Sequence, residues 1–136
     1  MSLLSSILVA CAGKQPGNLG IQGGQLTACP GSPNCVSSQA VDESHRIAPL
    51  IFDDDPDAAV VRLKRALLNR ADTTIIEEHP GYLRVEFRTT LFVDDGEFLL
   101  DGEKRLLHVR SASRLGYSDL GKNRRRMEEI RRQLAE

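Results

Sequence analysis

Residues 82–92, YLRVEFRTTLF, alternate between apolar and polar side chains, as expected for an extended chain with two different faces. The apolar members that share one face are Leu83, Val85, Phe87 and Leu91. This alternation predicts an antiparallel strand that is half-buried, with one face on the core and the other in solvent. His79-Pro80-Gly81 before the strand and Asp94-Asp95-Gly96 after it predict turns at its two ends.

Further strands are predicted close to this one, over residues 73–78, 97–101 and 105–111. Their connections are too short for parallel crossovers, which favours an antiparallel arrangement. Together with two helices, these segments predict an α+β domain. Its two layers would be an antiparallel sheet of about four strands and two helices on one face.

The two helices have recognisable sequence signals. Asp55 is placed to cap the first helix and Pro56 suits its first turn, and the apolar pattern continues to about Asn69. The second helix is expected over residues 120–135. Its predicted inner stripe consists of Asn123, Met127, Ile130 and Leu134.

Composition places limits on function. The 136 residues carry a formal net charge of -1, which indicates a single domain and argues against a nucleic-acid-binding protein. The charge is uneven, since residues 42–104 are acidic and residues 105–136 are basic. The two segments either neutralise each other across the fold, or the basic end presents a site for an anion.

The amino-terminal segment resembles part of an export signal. Leu8-Val9-Ala10-Cys11 resembles a bacterial lipobox, where a lipid is attached to the cysteine. We therefore interpret residues 1–11 as the remnant of a lipoprotein signal, although no Lys or Arg precedes Cys11 as in a complete signal. The alternative is that this amino terminus has no specific function. The glycine-rich residues 12–27 are expected to be a flexible tether, and residues 28–136 the folded domain.

Cys29 and Cys35 enclose two prolines and a glycine, which predict a compact turn that brings the two sulfurs together. In an oxidising compartment we expect them to form a disulfide. The alternatives are a zinc site with a histidine and a nucleophilic Cys35. Because the spacing is unlike that of common zinc sites, we expect neither a metal nor a cofactor.

The densest polar cluster follows the last strand. Strand alternation places His108 and Arg110 on one face, and hydroxyl groups and the start of the last helix come next. Guanidinium groups, hydroxyls and helix-start amides suit a phosphate or carboxylate. The candidate ligand-binding residues are Arg110, Ser111, Ser113, Arg114, Tyr117, Asn123, Arg124 and Arg126. Alternatively, Arg110 and Arg114 only form ion pairs with Glu86, Glu97 or the Asp94-Asp95 pair.

Three motifs resemble a known family: Cys-Pro-x-Ser-Pro-Asn-Cys-Val-Ser-Ser at 29–38, Asp-Asp-Gly-Glu-Phe at 94–98, and the long Arg-Ser-Ala-Ser-Arg-Leu-Gly-Tyr-Ser-Asp motif within 110–126. They resemble the bacterial and plastid domain-of-unknown-function family 1499, over about residues 28–135. The resemblance implies a small envelope or lumen domain, often lipoprotein-like, and no established activity or catalytic residue.

Three functions are compatible with these features. The first is a non-enzymatic accessory module at the periplasmic face of the cell envelope, anchored through Cys11 and binding a small anion. The second is a hydrolase or transferase that uses His108 with Ser111, Ser113 or Asp119. The third is a protein-interaction module, and nucleic acid is not an expected partner.

Overall fold

The computed structural model describes residues 13–135, which form one α+β fold with eight strands and two helices. The elements in chain order are β1 (Ile21–Gln22), β2 (Gln25–Leu26), β3 (Cys35–Ser37), β4 (Leu50–Ile51), α1 (Pro56–Leu68), β5 (Thr73–His79), β6 (Tyr82–Arg88), β7 (Val93–Asp101), β8 (Leu106–Ser113) and α2 (Lys122–Ala135). The lipobox and the first residue of the expected tether lie outside the described residues.

The α+β class is confirmed, but the main sheet differs from the predicted arrangement of about four strands. It has six strands, ordered β3-β8-β7-β6-β5, with β4 also pairing on β8. All of these pairings are antiparallel. The extra strands, β3 and β4, have only three and two residues, too few to show a periodic pattern in the sequence.

α1 begins where the sequence indicates, whereas α2 begins at Lys122, two residues after the expected start at residue 120, because Leu120 and Gly121 have positive φ angles. The Asp55 carboxylate accepts a hydrogen bond from the Ala58 amide at the start of α1. At the start of α2, the Asp119 carboxylate accepts hydrogen bonds from the amides of Gly121 and Asn123. These carboxylates satisfy amides that have no partner within their helices, and they suit the positive end of the helix dipole.

The apolar core lies between the helices and one face of the sheet, here called the helix face. Leu83, Val85 and Phe87 of β6 contribute to it, as predicted, and Met127 and Ile130 of α2 pack there. No helix among residues 13–135 is long and apolar enough to span a membrane.

The opposite face of the sheet, here called the outer face, is also buried, so β6 is not half-buried as predicted. Arg84 and Glu86 on this face are as inaccessible as the apolar core. The amino-terminal residues contribute to this cover. The Gly20 amide donates to the Glu97 carboxylate at 2.8 Å, and Leu26 of β2 is buried. Within the residues expected to form the tether, β1 pairs with β2, and β2 contacts β7 of the main sheet.

The predicted turn at Asp94-Asp95-Gly96 is wrong, since these residues lie within β7. The chain reverses earlier, at residues 89–92, which leaves Leu91 exposed instead of in the core. Gly96 is required for the packing of the sheet. A side-chain carbon at this position would come within 2.4 Å of Cε2 of the Phe87 ring, so only glycine leaves room for that ring.

Candidate functional site

The alternation of β8 divides the predicted ligand-binding cluster between the two faces of the sheet. Ser111 and Ser113 lie on the helix face, opposite Gly96 and Asp94 of β7. Arg110 lies on the outer face. The eight candidate residues therefore do not form a single cleft, because neighbouring residues of a strand point to opposite sides.

On the helix face, Asn123 connects β8 to α2. Its amide group donates to Ser113 Oγ at 3.0 Å and to the Asp119 carboxylate at 2.8 Å, and its carbonyl oxygen accepts from Ser111. Burial alone would raise the pKa of Asp119, but the bonds from Asn123 and the Gly121 amide lower it. These groups satisfy one another, so this half of the cluster is a structural junction.

Arg126 is also on the helix face, and its charge is neutralised there. Its Nη1 lies 2.9 Å from Asp94 Oδ2, and both side chains are almost completely buried. Its guanidinium group lies over the Phe87 ring at 4.4 Å from the ring centre, within the range of a cation–π contact. Arg126 is therefore part of the core packing.

On the outer face, Arg114 is paired with two carboxylates. Its guanidinium group donates two bonds of 2.8 Å to Asp95 and one of 2.7 Å to Glu86. Burial alone would raise the pKa of Glu86, but Arg114 and Arg88 lower it. The bonds to Asp95 and Glu86 raise the pKa of Arg114. The ion-pair interpretation is therefore confirmed for this residue.

Arg110 differs from Arg114. It is 4 % exposed, and its closest carboxylate is that of Glu97, where Nη1 and Oε1 are 3.7 Å apart. Its Nη2 donates to the Ala28 carbonyl at 3.4 Å, and its Nε has no hydrogen-bond partner. Burial lowers the pKa of Arg110, and Glu97 opposes this shift.

The two oxygens of the Glu97 carboxylate also differ in their hydrogen bonding. Oε2 accepts from the Tyr82 hydroxyl at 2.6 Å and from the Gly20 amide, whereas Oε1 has no hydrogen-bond partner. Arg84, Glu97 and Arg110 stand directly opposite one another on β6, β7 and β8. The outer face therefore carries a buried row of charges in which several polar atoms are not satisfied.

A cleft of about 260 Å³ opens beside Arg110 on the outer face. One wall comes from the sheet and the other from the amino-terminal segment and the disulfide loop. The sheet residues that line it are Asp95, Arg110, Ala112 and Ser113. The residues of the other wall are Pro16, Asn18, Ala28, Cys29 and Pro30. Because Arg114 occupies the Asp95 carboxylate, Arg110 is the main donor in this cleft that retains an unpartnered N–H group.

The two other candidates lie elsewhere. Tyr117 is in the loop before α2 and is 72 % exposed. Arg124 donates to the backbone carbonyls of Arg46 and Ser44. Neither residue lines the cleft beside Arg110.

The residues of the alternative hypothesis, a hydrolase or transferase, are not brought together. His108 Nδ1 lies 3.1 Å from the Ser38 hydroxyl, a contact that the sequence pattern did not indicate. Ser111 and Ser113 bond to Asn123 on the other face, and Asp119 caps α2. Ser38 Oγ also accepts a hydrogen bond from the Val109 amide, and this bond stabilises the position of β8.

The predicted disulfide between Cys29 and Cys35 is confirmed. It leaves neither sulfur free to bind zinc or to act as a nucleophile. Among residues 13–135, no group of three or more His, Cys, Asp or Glu side chains is arranged to hold a metal ion. Cys29 of the disulfide also forms part of the wall of the cleft.

The sequence pattern did not indicate Tyr82 or Arg84 as members of the buried charged row, because a polar strand face is usually exposed to solvent, and it indicated Glu97 only as an ion-pair partner. The available signal was the opposite charge of Arg84, Glu97 and Arg110 on neighbouring strands. This signal requires the strand register, which depends on the position of the turn at residues 89–92.

A family model described as "Protein of unknown function (DUF1499)" matches residues 25–134. Comparisons with curated proteins and with solved structures gave no match. The matched region contains β2 to β8, both helices except the last residue of α2, the disulfide and Arg110. With most of its length covered by this model, the chain belongs to the DUF1499 family.

Proposed function

We propose that this protein is a non-enzymatic binding module of the cell envelope. Its outer-face cleft would bind a small molecule through an acidic group, a carboxylate or a phosphate, with Arg110 as the main donor. This narrows the predicted anion site from eight residues to the region of Arg110, because Arg114 and Arg126 are already paired with carboxylates.

The observation that carries the proposal is the state of the Arg110 guanidinium group. It is 4 % exposed and lines the cleft, its Nε has no hydrogen-bond partner, and the contact with Glu97 is long at 3.7 Å. A buried, unsatisfied donor is costly, and an acidic ligand would remove that cost by accepting its hydrogen bond. A guanidinium group suits this role because its donors match the two oxygens of a carboxylate or phosphate.

The surroundings of Arg110 limit the ligand. The cleft volume of about 260 Å³ lies near the lower end of small-molecule sites, which favours a compact ligand. Glu97 and Asp95 keep the local net charge low, so the ligand would need polar contacts besides its acidic group. Asn18 lines the cleft and is the side chain suited to supply them.

The envelope location is supported by two features of the cysteines. Cys29 and Cys35 form a disulfide, and disulfides persist mainly in oxidising compartments. Cys11 ends a sequence that resembles a lipobox, and lipid attachment there would hold the domain at a membrane surface. The mass of the intact protein from native membranes tests this part, because a diacylglyceryl group on Cys11 adds a defined increment. A mass that corresponds to a free Cys11 thiol would contradict the anchor.

Binding is tested by calorimetric titration with inorganic phosphate and with acetate. The key variant is Arg110→Lys, which retains the charge beside Glu97 but removes the guanidinium Nε. We expect it to weaken binding by about tenfold or more, since a hydrogen bond to a charged group is worth about 1.5–3 kcal/mol. A cooperative unfolding curve of Arg110→Lys would be the check that this variant is folded.

The matched control is Arg124→Lys, since Arg124 belongs to the same predicted cluster but lies outside the cleft. It is expected to bind both anions as the wild type does. If neither anion binds to the wild type, or if both variants lose the same affinity, the proposed role of Arg110 is wrong.

A further inference from the structure

Five apolar side chains are exposed at one end of the sheet, on the two loops at residues 89–92 and 114–121. We call them the loop-end patch: Leu91, Phe92, Leu115, Tyr117 and Leu120. Leu120 is 84 % exposed, and Phe92, Leu115 and Leu120 line one groove of about 280 Å³. Because these side chains are grouped at one end rather than scattered, they are candidates for an interaction surface.

The chain leaves the described region beside this patch. Gly13 packs so closely on Leu115 that a side-chain carbon at position 13 would lie 3.0 Å from Leu115 Cγ. Cys11 is two residues earlier in the sequence. Two residues of extended chain span at most about 7 Å, which limits how far an anchor at position 11 can be from Gly13. A lipid on Cys11 would therefore hold the loop-end patch close to the membrane.

The charges near the patch are suited to an anionic surface. Lys14 is exposed next to Gly13, Lys122 lines the groove, and Arg125 is exposed on the first turns of α2. The carboxylates in the groove are already engaged, Asp94 by Arg126 and Asp119 by amides at the helix start. The basic side chains would therefore meet anionic headgroups without an opposing free carboxylate from the groove.

We propose that the loop-end patch docks on a membrane that contains anionic phospholipid, with Phe92, Tyr117 and Leu120 entering the interfacial region. This inference rests on the proposed envelope location, because it orients the domain relative to the membrane that holds Cys11. The side chains suit the interface, where an aromatic ring with a hydroxyl group is favoured and apolar side chains enter between the headgroups. A lipid on Cys11 and the patch would then act as two linked contacts with one surface.

The docking can be measured without the acyl group, in the full chain carrying Cys11→Ala. The protein contains no tryptophan, so a single introduced tryptophan reports on its own position. We would place it at position 117 by Tyr117→Trp, with Ile51→Trp as the matched control. Ile51 is 78 % exposed and lies on β4, beside the other end of β8.

With vesicles of pure phosphatidylglycerol, the tryptophan at position 117 is expected to shift its emission to shorter wavelength. Phosphatidylglycerol with brominated acyl chains should quench it. Vesicles of pure phosphatidylcholine should give a much smaller shift, and the tryptophan at position 51 should respond to neither. An unchanged emission from position 117 with phosphatidylglycerol, or equal responses from both positions, would overturn the proposal.

A second pair of variants tests the patch itself by vesicle co-sedimentation. Leu120→Asp removes the most exposed apolar side chain of the patch, and we expect about tenfold weaker binding to phosphatidylglycerol vesicles. Ile51→Asp adds the same charge at the far end and is expected to bind nearly as the starting protein does. Equal binding by the two variants would contradict the patch. These results are independent of acylation, so a free Cys11 thiol in native protein would refute the anchor alone.

Discussion

At the scale of single residues, this protein is defined by how its buried charges are partnered. Arg114 and Arg126 each lie within 3 Å of carboxylate oxygens, whereas Arg110 has only a distant contact with Glu97. The sequence presents all three as similar basic residues after one strand. Only their partners distinguish the two arginines that are paired with carboxylates from Arg110, whose Nε has no hydrogen-bond partner.

Gly96 provides a direct test of the packing at the centre of the sheet. In Gly96→Ala, the new methyl group would lie 2.4 Å from Cε2 of Phe87 and 2.9 Å from Cγ2 of Val85, and both side chains are fully buried. We expect the free energy of unfolding to fall by about 1–3 kcal/mol, measured by urea denaturation. Gly31→Ala is the control, since nothing lies within 4 Å of its added carbon, and unchanged stability of Gly96→Ala would contradict the packing.

His45 predicts a dependence of stability on pH. Its two ring nitrogens lie 2.8 Å from the Ser32 carbonyl and 2.6 Å from the Asp42 carboxylate. The Ser32 carbonyl and then Asp42 raise the pKa of His45, while burial and Arg124 act in the opposite direction. Because the folded pKa exceeds the unfolded one, the stabilisation is complete below about pH 6.5 and is lost as the pH rises through the folded value.

His45→Gln should remove this dependence, so the wild type loses stability relative to the variant as the pH rises from about 6 to 8. The measurement is the free energy of unfolding of both proteins across that range. Parallel curves for the two proteins would show that His45 does not hold its proton more tightly in the folded state.

At the scale of elements, the sequence predicts those with a period or a cap and misses those without. Both helices and the apolar face of β6 follow from spacing and capping. The position of the turn before β7 does not, because Asp-Asp-Gly is a common turn sequence. Here the glycine is required by the Phe87 ring instead. An opposing ring on a neighbouring strand is a tertiary contact that local patterns do not contain.

The junction between β8 and α2 is expected to depend on Asn123. Asn123→Ala would leave the buried Ser111 hydroxyl without its acceptor and the Ser113 hydroxyl without its donor, while Asp119 keeps its bonds from two backbone amides. Since each unsatisfied buried polar group costs about 1–3 kcal/mol, we expect a loss of about 2–4 kcal/mol in the free energy of unfolding. Gln133→Ala, on the exposed side of the same helix, should change it by no more than about 0.5 kcal/mol. Similar losses for the two variants would contradict the junction.

At the scale of the whole molecule, the main surprise is that both faces of the sheet are buried. The sequence predicts the helix layer well, since α1 and α2 have clear apolar stripes. It does not predict the cover on the outer face, because the glycine-rich segment contains few apolar residues and Leu26 is its main buried one. The Arg110 cleft exists only because this segment and the disulfide loop lie over the sheet. Of the eight residues that the sequence suggested, only Arg110 and Ser113 line this cleft, so neither its full lining nor its shape follows from the sequence.

The disulfide holds one wall of this cleft. A loop with a sequence separation of six residues contributes about 2 kcal/mol to stability in the chain-entropy model. We expect the double variant Cys29→Ser, Cys35→Ser to unfold at correspondingly lower denaturant concentration and to bind phosphate more weakly. Cys11→Ser should change neither property. A double variant with unchanged stability and binding would contradict a role for the disulfide in the cleft.

The central claim, that Arg110 offers an unpartnered donor to an acidic ligand, is tested most directly by nuclear magnetic resonance of the arginine Nε–H groups. The Arg110 signal can be assigned by its loss in Arg110→Lys. During titration with inorganic phosphate, we expect the Arg110 Nε–H signal to move and its exchange with water to slow, while the Arg124 signal stays in place. An Arg110 signal that does not respond at saturating phosphate would contradict the claim.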